Sequence, residues 1–168
     1  GITSINPRDG SQNWEMAVFG KDKERAIGSP VVAGELVIGT CGFVTAKKHA
    51  VAVYPPGIGK STAAEPSESY RIERNVPHIP TVLVKDGLLF LWAESGIASC
   101  HRVEDGKMLW QKRVGGNFNA SPVWIDGRLY NVSEEGEVVV LAAGAEYQEL
   151  GRSELGEGCV STPAVARG

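Results

Sequence analysis

The chain alternates short apolar runs with turns rich in glycine, and no stretch keeps a 3.6-residue period over helical length, so the pattern predicts strands throughout. A proline preceded by a small or apolar residue and followed by an apolar run recurs four times. It reads Ser29-Pro30-Val31-Val32, Ile79-Pro80-Thr81-Val82-Leu83-Val84, Ser121-Pro122-Val123-Trp124-Ile125 and Thr162-Pro163-Ala164-Val165, at spacings of 50, 42 and 41 residues. A period of about 40–50 residues is that of a four-stranded propeller blade with its turns.

Other landmarks keep the same register. A turn follows each proline-led run, at Ala33-Gly34-Glu35, Lys85-Asp86-Gly87, Ile125-Asp126-Gly127 and Ala166-Arg167-Gly168. Asp-Gly is a strong hairpin signal because both central residues of a type I′ turn need positive φ. Second strands over 36–40, 88–92 and 129–133 follow, and Glu94-Ser95-Gly96 and Glu134-Glu135-Gly136 then mark a second turn 40 residues apart. Third strands are predicted over 97–101 and 137–141, and the first blade carries a longer hairpin over 42–49. The predicted fold is all-β: a partial β-propeller of four-stranded antiparallel blades, three complete and one partial at each end. The divisions fall at about 1–28, 29–76, 77–118, 119–158 and 159–168, the last a leading strand alone. Extra residues in the first complete blade sit in a surface loop over 55–69.

The last strand of a blade carries an aromatic anchor after a glycine turn. Asp9-Gly10-Ser11-Gln12-Asn13-Trp14 and Asp105-Gly106-Lys107-Met108-Leu109-Trp110 repeat one phrase, with Tyr70 in that place in the first complete blade and Leu150 in the third. A large ring there can lodge between blades, so Trp14, Tyr70 and Trp110 are predicted to dock them. Trp110→Ala is expected to unfold the chain and Trp92→Ala to be milder.

These phrases resemble the pyrroloquinoline quinone (PQQ)-like repeat family of β-propellers, whose docking phrase is roughly Ala-x-Asp-x-x-Thr-Gly-Lys-x-x-Trp. The segment from Cys100 to Trp110 keeps its Gly, Lys and Trp, and that from Ser4 to Trp14 keeps Gly and Trp. The resemblance implies a bacterial protein in a periplasmic or other extracytoplasmic setting. It covers both non-catalytic members, which hold partners as in outer-membrane barrel assembly, and quinoprotein alcohol dehydrogenases. The latter would bring PQQ with Ca²⁺, a carboxylate base, Asn and Glu ligands and often a pair of adjacent cysteines; Cys41, Cys100 and Cys159 are far apart. The chain therefore reads as a binding or assembly scaffold with no cofactor expected, the alternative being a segment of a PQQ-dependent alcohol dehydrogenase.

Charge and composition narrow the partners. A net charge of -3 and a pI near 5.7 give no basic face for nucleic acid. The apolar runs are too short to span a bilayer, and no charged segment followed by an apolar one marks a signal peptide. The three cysteines form no complete disulfide set and read as small buried thiols.

Several local patterns carry no chemistry. Gly57-Ile58-Gly59-Lys60-Ser61-Thr62 is similar to a phosphate loop, but Tyr54 stands where that motif needs glycine and Pro66 stops the helix that it requires. Cys100 and His101 adjoin on a strand and so face opposite ways. His49 and His78 fall in loops without a ligand partner in sequence, so no metal site is expected. Asn131-Val132-Ser133 is a sequon placed on a strand.

The loops leading into each innermost strand are the candidate binding surface, because propellers bind where such loops converge at one end of the central channel. Their candidates are Arg25, Ser29, His78, Asn117, Phe118, Asn119, Ser121, Glu157 and Ser161. The expected occupant is a protein, small molecule or carbohydrate. Further blades of a longer chain, or a second copy, would complete the ring.

Overall fold

The computed structural model describes residues 1–20, 24–43, 46–58 and 64–166. Its strands are β1 (Ile2–Ile5), β2 (Gln12–Met16), β3 (Val31–Ala33), β4 (Leu36–Phe43), β5 (Ala46–Tyr54), β6 (Ser67–Ile72) and β7 (Leu83–Lys85). They continue as β8 (Leu88–Ala93), β9 (Ile97–Arg102), β10 (Met108–Arg113), β11 (Val123–Ile125), β12 (Arg128–Val132), β13 (Glu137–Ala142) and β14 (Glu149–Glu154). Each of β3–β6, β7–β10 and β11–β14 is a four-stranded antiparallel meander, and β1–β2 is a two-stranded sheet. Below, the four-stranded sheets are blades one, two and three.

The Asp-Gly turns have the backbone that their sequence demands. Asp86 and Gly87 take φ of 50° and 76°, and Asp126 and Gly127 take 45° and 77°, as a type I′ hairpin requires. In the corresponding turn of blade one Gly34 takes 63°.

The blades stack face to face, and both faces of an inner strand are buried. Along β8, Leu89 and Leu91 join Ala33, Leu36, Ile38, Ala50 and Ala52 of blade one. Phe90 and Trp92, pointing the other way, join Phe118, Leu129, Val139 and Leu141 around blade three. Two buried faces explain why Leu88–Trp92 is an unbroken apolar run rather than an alternating one. The β1–β2 sheet closes on blade one in the same manner, with Ile2 and Val18 against Val51 and Val53.

A one-residue bulge recurs in all four outer strands. Asn13, Ser69, Leu109 and Leu150 are skipped in the ladder, so that Trp14 faces Ser4, Tyr70 faces Ala52, Trp110 faces Cys100 and Gly151 faces Val140. The anchor place in blade three therefore belongs to Gly151. Leu150 is the bulged residue and is 43% exposed, which corrects its reading as an anchor.

The hairpins correct the proline register too. β3, β7 and β11 begin two residues after Ser29, Thr81 and Ser121, so Val82 rather than Pro80 corresponds to Pro30 and Pro122. Residues 159–166 form no strand, having no neighbouring strand to pair with among the described residues. Instead Cys159, Pro163 and Val165 lie along the open face of blade three, over Tyr130, Val132 and Val138. Residues 59–63, which include most of the phosphate-loop-like segment, and residues 167–168 lie outside the described residues.

Candidate functional site: the inner rim and the blade seams

A hydroxyl relay runs along the inner rim. The Ser29 N–H donates to Thr81 Oγ1 at 3.0 Å, the Thr81 N–H to Ser121 Oγ at 2.9 Å, and the Ser121 N–H to Thr162 Oγ1 at 3.0 Å. Each bond runs from the lead-in of one blade to that of the next. The small polar residue two places before each innermost strand is thus a stitch between blades.

Other rim candidates are similarly engaged. His78 is buried, and its backbone N–H, with that of Ile79, donates to Glu94 Oε1 at 2.7 and 2.9 Å. His78 Nδ1 also lies 2.6 Å from Glu94 Oε1, out of line for a hydrogen bond. Lys48 of blade one reaches Glu94 Oε2 at 2.6 Å. Burial raises the Glu94 carboxyl, but the bonds from Lys48 and from the His78 and Ile79 amides outweigh it and leave the group below its ordinary range.

One blade further, Asn119 Nδ2 donates to Glu134 Oε1 at 2.7 Å, and Asn117 Nδ2 donates to Glu135 Oε1 at 3.2 Å. Phe118 is fully buried, its ring 5.3 Å from that of Trp92. Arg25 forms an isolated bridge with Gly42 and sets its guanidinium 4.7 Å over the Phe43 ring. Ser29, Asn117, Glu157, Ser161 and Arg25 are exposed, Asn119 and Ser121 are half-buried, and His78 and Phe118 are closed to a ligand.

The outer ends of the seams are locked in both directions. Forward, the Trp110 Nε1–H donates to the Gly144 carbonyl at 3.0 Å, and its ring meets that of Tyr147 edge-on at 5.4 Å. Tyr70 lies so close over Gly106 that a Cβ there would come within 2.4 Å of its ring. Backward, the residue after each anchor reaches the preceding blade. Arg71 Nη2 donates to the Val18 carbonyl at 2.9 Å, Arg152 Nη2 to the Val114 carbonyl at 2.8 Å, and Gln111 accepts from Asn75 at 2.8 Å. Glu68 and Glu149 hold those arginines from three residues away. Trp14 packs, half-buried, with the cluster of Ile2, Val51 and Val53.

Trp92 is 2% exposed against 9% for Trp110, so its ring is buried at least as deeply. The unbroken apolar run around it conceals which ring is seated in the seam. Asn131, in the sequon, is fully buried on β12.

One cluster has no sequence signal. His49 lies on β5 rather than in a loop, directly opposite Cys41 on β4. Glu24 joins them, its Oε1 3.3 Å from His49 Nε2 and its Oε2 3.4 Å from Cys41 Sγ. Burial raises the Glu24 carboxyl, but the Gly20 amide, His49 and Cys41 outweigh it and lower the group overall.

The rim carboxylates are already engaged by the protein's own donors. Ca²⁺ takes about six to eight oxygen ligands, whereas Glu94, Glu134 and Glu135 are each held by donors of neighbouring loops. Among the described residues no group of three carboxylates comes together.

Four-stranded blades stacked around a common axis and stitched at the rim and seams define a β-propeller. A family model described as outer membrane protein assembly factor BamB matches residues 59–146, just over half of the chain. The chain belongs to this family of PQQ-like repeat propellers. The curated proteins contain no match. Among solved structures, BamB from Moraxella catarrhalis is 16% identical at a TM-score of 0.66, covering 91% of this chain and 43% of its own. A europium-containing methanol dehydrogenase is 12% identical at a TM-score of 0.63, covering 81% and 26%. The quinohemoprotein alcohol dehydrogenase from Comamonas testosteroni is 13% identical at 0.56, covering 77% and 21%. This chain thus spans less than half the length of each, and the likeness is one of fold.

Proposed function

We propose that this propeller segment is a non-catalytic scaffold that holds a partner protein at its channel rim, in an extracytoplasmic bacterial compartment. The observation that carries the reading is the use made of the rim's polar groups. The Ser29, Thr81 and Ser121 amides, the Glu94 carboxylate and the Asn119 amide side chain all bond within or between blades. That arrangement gives a stiff frame with exposed loop tips, which suits recognition of a preformed surface. Catalysis would instead need convergent groups left free for a substrate. The family's description as an assembly factor supports the same reading.

The open face of blade three, with Val123, Tyr130 and Val138, corresponds to faces that are buried at the other seams. We assign to it a further blade of the same propeller.

The test is site-specific photo-crosslinking in a bacterial envelope. A photoreactive side chain at Arg25, Asn117 or Ser161 is expected to give discrete protein adducts, and one at Lys112 or Ser153 on the outer strands is not. Adducts from outer strands only would overturn the rim assignment. Saturable binding of PQQ with Ca²⁺, accompanied by dye-linked alcohol oxidation, would overturn the scaffold reading.

A further inference from the structure

Cys41 and His49 are cross-strand partners, which puts their side chains on one face of blade one, about 5 Å apart at Cβ. Glu24 is brought to them by main-chain bonds. The Arg25 N–H donates to the Gly42 carbonyl at 2.9 Å and the Gly42 N–H to the Arg25 carbonyl at 3.0 Å, fixing the residue next to Glu24 against the residue next to Cys41. The Gly20 N–H donates to Glu24 Oε2 at 2.6 Å and aims the carboxylate inward. Three segments thus present one sulfur, one nitrogen and one carboxylate oxygen, all within 4.8 Å of one another.

From these donors we infer a binding site for a divalent, zinc-like cation formed by Glu24, Cys41 and His49, with water in the fourth position. Tetrahedral zinc, bonded at about 2.0–2.3 Å to such ligands, separates neighbouring ligand atoms by about 3.3–3.6 Å. Glu24 Oε1 lies 3.3 Å from His49 Nε2 and Glu24 Oε2 lies 3.4 Å from Cys41 Sγ, so each carboxylate oxygen already stands about one such edge from one of the other two donors. A mixed S, N, O set is borderline-soft and suits Zn²⁺ over Ca²⁺ or Mg²⁺.

Charge and burial point the same way. Cys41 is fully buried, and the His49 side chain is 8% exposed, with neither ring nitrogen hydrogen-bonded among the described residues. A buried imidazole whose ring nitrogens lack a well-formed hydrogen bond is costly, and a metal ion satisfies one of them. Carboxylate, thiolate, neutral imidazole and a dication together carry no net charge.

The Cys41 thiol gives up its proton when the metal binds. Binding forms the S–metal, N–metal and O–metal bonds, expels water from the ion and releases one proton to solvent. The bound ion would staple Glu24 to blade one.

Cobalt(II), added to the purified full chain under a non-chelating reductant, tests the site. One equivalent should give a thiolate-to-cobalt charge-transfer band and the visible bands of four-coordinate cobalt, both abolished by zinc. Zn²⁺ should also raise the Tm. Cys41→Ser and His49→Gln should each weaken binding by more than the roughly 10–100-fold that an outer-shell contact is worth. Cys159→Ser should leave the spectrum unchanged. If Cys41→Ser fails to fold, the wild-type spectrum and Cys159→Ser decide the matter. A folded wild type without the charge-transfer band, or a band that survives in Cys41→Ser or vanishes in Cys159→Ser, overturns the site.

Discussion

The indole of Trp110 in blade two donates its Nε1–H to the carbonyl of Gly144 in blade three, across 3.0 Å. One side chain therefore supplies both apolar area and a directed bond to the seam. Trp110→Phe keeps most of the area and should cost about 1 kcal/mol, the net worth of the lost hydrogen bond. Trp110→Ala should cost about 3–5 kcal/mol. Urea denaturation of both variants separates the contributions, and a Trp110→Phe variant as stable as the parent would show that the bond carries nothing.

Trp92→Ala should destabilise the chain as much as Trp110→Ala, about 3–5 kcal/mol, because its ring is fully buried against Phe118. Its Nε1–H has no partner among the described residues, so Trp92→Phe should be milder than Trp110→Phe. Parallel denaturation curves of the four variants check the ranking.

Gly136 has φ of 94°, and a Cβ there would lie 2.0 Å from the Glu157 carbonyl oxygen, where the chain leaves blade three. Gly127 has φ of 77° but open space around it. Gly127→Ala should cost about 1 kcal/mol, from the backbone conformation alone. Gly136→Ala must in addition move a backbone carbonyl and should cost clearly more. Equal melting points for the two variants would contradict the close approach.

Acid should weaken the chain in two stages. Burial lowers the His101 pKa below its usual 6.5, so the unfolded state binds the proton more readily. Stability from this group is complete above about 6.5 and falls as pH drops through the folded value. Glu94 and Glu24 are held below their ordinary 4.5, so their contribution is complete above that value and is lost further down in acid. Tm measured against pH should show a first decline that His101→Gln removes and a deeper one that Glu94→Gln reduces.

The blades were legible because their signals are local. Asp86-Gly87 and Asp126-Gly127 dictate their own turns, and the glycine turn before Trp110 marks an outer strand. The bulges were not legible. Whether Leu150 or Gly151 faces inward depends on a residue skipped opposite Val140 and Leu141, and no single strand carries that information. The proline register slipped at Pro80 for a related reason, since the stitch depends on the hydroxyl of Thr81 and not on the ring beside it. The rim was legible as a place, but its bonding was not: Glu94, the main holder of the His78 loop, reads in sequence as a turn residue. Glu24, Cys41 and His49 were hidden because strand pairing alone brings them together.

The relay of Ser29, Thr81, Ser121 and Thr162 is the feature on which the stiff-rim account depends. Amide hydrogen exchange, resolved by residue, tests it most directly. The Thr81 and Ser121 amides should be protected although they lie outside any strand, and Ser121→Ala should release Thr81 selectively while the amides of β8 and β9 stay protected. Thr81 and Ser121 amides exchanging as fast as those of an unstructured loop would contradict the account.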